Sequence, residues 1–83
     1  MYAVTLDEDS RHQVDALPAE ALAPFAELRA VLEVAPWNGE PYHRGKPEAP
    51  MRTMSFAEGR GQLVYLILDD QRRVDVLLVL WAG

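Results

Sequence analysis

Hydrophobic and polar positions change their period twice along this chain. Between residues 2 and 6 they alternate, Tyr2, Val4 and Leu6 against Ala3 and Thr5, which predicts a short half-buried strand. In "DEDSRHQVDAL" the residues Asp7, Asp9 or Ser10 can cap a short helix, and the acidic cluster suits the positive end of its dipole. Val14 and Leu17 are its expected core contacts. Residues 17–37 are rich in Ala, Leu and Glu, and Leu22, Phe25, Leu28 and Leu32 recur along one face of a second predicted helix. Pro18 suits its first turn. Pro24 removes a backbone hydrogen bond at a cost of about 3 kcal/mol, so an irregularity is expected near residues 21–24. The helix ends at residues 33–36. "PWNGEPYHRGKPEAP" then reads as loop, with prolines at 36, 41, 47 and 50 and glycines at 39 and 45.

Beyond the loop the period returns to two. "MRTMSFAE", "GQLVYLILDD" and "RRVDVLLVLWAG" predict three strands, joined by tight turns at 58–61 and 69–72 into antiparallel hairpins. The middle strand is apolar at every position from 63 to 68, the pattern of a central strand covered on both faces. The expected fold class is α+β: a two-helix hairpin packed on a four-stranded, mainly antiparallel sheet in the order β-α-α-β-β-β, with the first strand at an edge. Strict alternation in the last strand turns Val74, Val76, Leu78 and Leu80 toward the helices. Leu77, Val79 and Trp81 then form an apolar patch on the other face, an expected partner interface with Trp81 as its anchor, in a homodimer or under a partner's helix or strand.

At 83 residues the chain is expected to form one domain, 1–83, with a modest core. The composition, 49% hydrophobic and 25% charged, is that of a globular protein. The absence of cysteine excludes disulfides and thiolate metal sites and suits a reducing, cytoplasmic setting. No signal-peptide pattern opens the sequence, and the apolar run at 76–83 is far short of the roughly 20 residues of a membrane span. Residues 1–41 carry eight carboxylates and two arginines, whereas residues 42–83 carry six basic and five acidic side chains, for a net charge of −5. Such a balance disfavours general nucleic-acid binding unless a local basic patch provides it.

That patch is sought in "YHRGK", which gathers Tyr42, His43, Arg44 and Lys46 shortly before Arg52. In RNA cleavage, His43 could serve as general base or acid, while Arg44, Lys46 and Arg52 stabilise the phosphorane. The same cations, with Arg60 in the following turn, are the expected phosphate contacts; the alternative is a solvated loop balancing Glu40 and Glu48. If Met54 and Phe56 face the helices, Arg52 shares that face and lies at its rim, where an ion pair with a helix carboxylate is its structural role. His12 is expected on an exposed helix face. No histidine or carboxylate pair has metal-ligand spacing, and neither metal nor cofactor is expected.

The order of elements, with "DALPAEA" between the helices and "MRTMSF", "GRGQLVYLILDD" and "VDVLLVLW" after the loop, resembles the RelE/ParE toxin superfamily of bacterial toxin-antitoxin systems. The resemblance implies either a metal-independent ribonuclease acting on messenger RNA in the ribosome, as in RelE-like members, or gyrase poisoning, as in ParE-like members. It also implies an antitoxin-like protein partner. It puts Arg52 at the arginine position that opens the second strand, and Tyr65 at the structural tyrosine of the third. Gln62-Leu63 departs from the arginine found there in RelE-like members, and the sequence ends at Trp81-Ala82-Gly83, where they carry a further segment with a tyrosine. Two functions therefore stand: a RelE-like toxin with weakened or lost ribonuclease activity, and a non-catalytic toxin-fold protein that works by association.

Overall fold

The computed structural model describes residues 1–82; Gly83, the end of the apolar terminal stretch, lies outside the described residues. Its elements run β1 (Ala3–Leu6), α1 (Glu8–Asp15), α2 (Ala19–Val34), β2 (Glu40–Pro41), β3 (Met51–Phe56), β4 (Gly61–Leu68) and β5 (Arg73–Trp81), with single 3-10 turns at Pro36–Asn38 and Asp69–Gln71. The sheet has five strands in the order β1-β5-β4-β3-β2. β1 lies parallel to β5, and the other neighbours are antiparallel. The expected α+β class holds, with one strand more than the sequence predicted. That strand, β2, has two residues, one of them a proline that lacks a ladder donor and is tolerated at a sheet edge.

Asp7 caps α1, its carboxylate accepting from the Ser10 amide at 2.8 Å. Val14 and Leu17 meet the core, as expected. α2 runs as one uninterrupted helix through Pro24, where an irregularity was expected. The carbonyl that the proline leaves without a helical donor is that of Glu20, on the exposed side where water can serve it. Ala21, Phe25, Leu28 and Leu32 form the buried face, while Leu22, expected in the core, is 53% exposed. Packed against this face are Phe56, Leu63, Tyr65, Ile67, Val74, Val76 and Val79 from the sheet. Each large apolar side chain buried there contributes about 1.5–3 kcal/mol before conformational entropy is counted.

The face assignment of β5 changes halfway along the strand. Tyr65 pairs with Val76 but Val64 with Leu78, so Leu77 is an extra residue, a β-bulge. Its insertion exchanges the two faces for everything that follows. Val79 is 5% exposed in the helix-side core, and Trp81 packs beside it, stacked on Phe56 with 6.1 Å between ring centroids. Leu78 and Leu80 look the other way. The bulge is held by α1, since the Val79 amide donates to Gln13 Oε1 at 2.7 Å.

Candidate functional site

Pro36 and Gly39, both buried, tie the long loop to the core at its start. The Tyr65 hydroxyl donates to the Pro36 carbonyl at 2.6 Å, and a Cβ on residue 39 would stand 2.0 Å from that hydroxyl, so only glycine fits there. Burial pushes the Tyr65 hydroxyl up to about 12, against the opposing pull of the Arg52 cation. From Tyr42 onward the loop turns twice, with Lys46 donating to the His43 carbonyl and Ala49 to that of Lys46.

Arg52 organises this loop from below. It lies on the helix-side face, as strand parity required, but it is 8% exposed and pairs with no helix carboxylate. Its Nε donates to Gly39 O at 3.0 Å, and its Nη1 donates to Pro47 O and Ala49 O at 3.1 Å each. The guanidinium also sits 5.2 Å from the centre of the Trp37 ring. The residue expected to stabilise a phosphorane is therefore a clamp between the two ends of the loop.

The remaining candidates divide between the faces. His43, Arg44 and Lys46 are all exposed, and the His43 ring meets Tyr42 edge-on at 5.0 Å. Tyr42 and Arg44 reach over the sheet face away from the helices. There, with Glu40, Pro41, Thr53, Gln62, Val64, Leu78 and Leu80, they line a groove of about 690 Å³. Gln62 donates to Thr53 Oγ1, which donates in turn to Leu63 O, so the polar part of the floor is internally bonded. Arg60 belongs elsewhere. It pairs with Glu20 of α2 at 3.1 Å and lies 4.8 Å above the Trp81 ring on the helix side. The expected four-cation phosphate site is thus not assembled: Arg44 faces the groove, Lys46 is on the loop surface, Arg52 is buried and Arg60 is at another rim.

The expected interface of Leu77, Val79 and Trp81 is corrected in the same way. The bulge sends Val79 and Trp81 to the helix-side core of their own chain, Leu77 stays 37% exposed beside Thr5, Arg73 and Asp75, and the apolar residues that line the open-face groove are Val64, Leu78 and Leu80.

A second polar cluster escaped the sequence reading. Asp69 Oδ1 accepts from the Tyr2 hydroxyl at 2.5 Å and from Trp37 Nε1 at 3.2 Å, and these bonds hold its carboxyl below the usual range. Arg72 completes the cluster, donating to the Tyr2 hydroxyl at 3.2 Å with its guanidinium 4.4 Å over that ring. The cluster pins the β4–β5 turn to the end of α2 and the start of β1. Its members lie up to 70 residues apart, and no local pattern links them. Among the described residues, no group of three or more His, Asp or Glu stands together in a way that could hold a metal ion, and no helix is long and apolar enough to cross a membrane.

No protein-family model matches this chain, and no curated protein matches it by sequence. Solved structures do. The isolated Escherichia coli RelE toxin aligns over 100% of this chain and 86% of its own, with a TM-score of 0.81 at 15% identity. The toxin in the intact E. coli RelBE toxin-antitoxin complex gives 0.80 at 15% identity, over 100% and 99% of the two chains. The archaeal RelE-RelB complex from Pyrococcus horikoshii OT3 gives 0.66, also at 15% identity, over 99% and 96%. With the whole of this chain overlapping two of these structures at TM-scores of 0.81 and 0.80, this chain has the fold of the RelE toxins.

Proposed function

We propose that the chain is the RelE-like component of a bacterial toxin-antitoxin pair and that it works in the cytoplasm by binding a protein partner rather than by cutting RNA. The observation that carries this reading is the groove on the open sheet face. Its floor is Val64, Leu78 and Leu80, and Arg44 is the single cation of its lining, with Glu40 beside it. Phosphate recognition and phosphorane stabilisation draw on several converging cations, and Arg52 is committed to three backbone carbonyls instead. Two of the similar RelE structures are complexes with RelB, which supports an antitoxin-like partner here.

The test is expression of the chain alone and together with the products of the reading frames on either side of it. Growth without arrest, and a stable complex recovered from the joint expression, are the expected results. Arrest without any complex would refute the reading.

The exposed trio His43, Arg44 and Lys46, within four positions, favours a second reading, a ribonuclease toxin that contacts phosphate through the loop. It requires cleavage of translated messages on induction, relieved by His43→Ala or Arg44→Ala. RNA or ribosome binding should then fall steeply with salt. Uncut messages, or binding indifferent to salt, would remove it.

A further inference from the structure

We propose that the outer face of α2 is the seat of an amphipathic helix carrying basic flanks, supplied by a partner protein. A helix that is apolar all round is normally buried all round. Only four of the 16 residues of α2 are charged, yet one side alone meets the core. Opposite the buried Ala21, Phe25, Leu28 and Leu32, the helix exposes Ala23, Ala26, Ala30 and Val34, the last 72% exposed, with Leu22, 53% exposed, at one edge of this strip and Val31, 41% exposed, at the other. Ala19, Ala23, Ala26 and Ala30 follow one another at intervals of four, three and four, the spacing of a helix–helix seam. Side chains this small let a second helix axis approach to about 8 Å.

Charge selects the occupant. Residues 7–34 hold seven carboxylates and two arginines, so the helix hairpin carries the entire net charge of −5; the rest of the chain balances six acidic side chains against six basic ones. Glu27 stands exposed on one shoulder of the apolar strip, with no ion-pair partner among the described residues. Arg29, on the opposite shoulder, leans away and donates to Val4 O at 3.4 Å. A second copy of this chain would bring two such hairpins together and meet their mutual repulsion. A helix with an apolar seam and lysine or arginine on its flanks relieves both the exposed apolar surface and the unbalanced charge. This surface is separate from the open-face groove, and its occupation does not depend on what that groove binds.

The experiment titrates the full chain with two synthetic helical peptides of about six turns that share one Leu/Ala seam, one flanked by lysine and the other by glutamate. The lysine peptide should bind, shift the backbone amides of α2, and lose at least about tenfold in affinity when salt rises from about 0.05 M to about 0.5 M. Ala26→Arg, at an exposed position, should weaken binding by about tenfold or more with the melting curve unchanged. Leu22→Lys provides a second, independent variant that should do the same. Equal binding of both peptides, no binding at low salt, unchanged affinity in both variants, or shifts centred on the open-face groove would overturn the proposal. So would a homodimer in sedimentation that Ala26→Arg dissociates, because the occupant would then be a second copy.

Discussion

Arg52→Ala separates a structural arginine from a catalytic one, because the two roles move different observables. The substitution removes donors to Gly39 O, Pro47 O and Ala49 O together with the contact to Trp37. Pro47 is exposed and Ala49 half-buried, so water can replace the donor at the first carbonyl and in part at the second; Gly39 is buried and its carbonyl stays unsatisfied. One buried unsatisfied acceptor costs about 1–3 kcal/mol, and the lost stacking over the partly exposed indole about 0.5–1 kcal/mol. The expected total is therefore about 1.5–4 kcal/mol. Urea unfolding should show a lower midpoint at unchanged slope, and hydrogen exchange should rise across residues 39–50. Arg44→Ala, at an exposed side chain with no hydrogen bond or ion pair among the described residues, should stay within about 0.5 kcal/mol of wild type. If Arg52→Ala is as stable as wild type with the loop amides still protected, the clamp described above is wrong.

Other expectations follow from the same contacts. Val79→Glu should destabilise by more than about 3 kcal/mol, because it buries a carboxylate in the helix-side core, whereas Leu80→Glu should fold normally; paired melts decide, and a stable Val79→Glu would remove the bulge assignment. The depressed carboxyl of Asp69, held by Tyr2 and Trp37, contributes stability that is present above the unfolded carboxylate value of about 3.9 and lost as pH falls through its lower folded value. Asp69→Asn should flatten the acid limb of the stability curve measured by urea melts from pH 5 downward, and an unaltered limb would discount those bonds. Tyr65, raised by burial from 10.0 to about 12, has the opposite sign: its contribution is complete below the unfolded value and disappears as pH rises through the folded one. Tyr65→Phe should remove that alkaline loss while lowering neutral stability through the unpaired Pro36 carbonyl, readable as a change of shape in the same curve.

Most of the fold was legible because it rests on local periodicity. Alternation located β1, β3 and β5, an unbroken apolar run located β4, and the Ala/Leu/Glu composition located α2. The errors arose where one element's geometry depends on another. Strict alternation cannot register an extra residue, and the bulge at Leu77 is stabilised by Gln13, which accepts from the Val79 amide 66 positions later in the chain, so the faces of the last four residues of β5 were reversed. β2 is a strand by virtue of its pairing with β3, having too few residues to carry a period. For α2, Ala21 and Leu22 compete for the core on composition, and burial went to the small one, whose position fits beneath the sheet. At the candidate site the sequence found the exposed loop cations but misjudged Arg52. Charge and spacing could not reveal that three carbonyls of the loop it supports would converge on it.

The parallel pairing of β1 with β5 fixes an order of events for the chain as it is made. Ala3 lies beside Arg73 and Leu6 beside Val76, so the first strand waits for the last one before either of its edges is paired. Each contact across this ladder closes a loop of about 70 residues, an entropic cost met before any pairing compensates it. The β3–β4–β5 meander needs no such closure and has the local contacts that form fast. During synthesis the helix hairpin therefore precedes the sheet that covers it, and its apolar face depends on chaperones or on speed until β5 has left the ribosome.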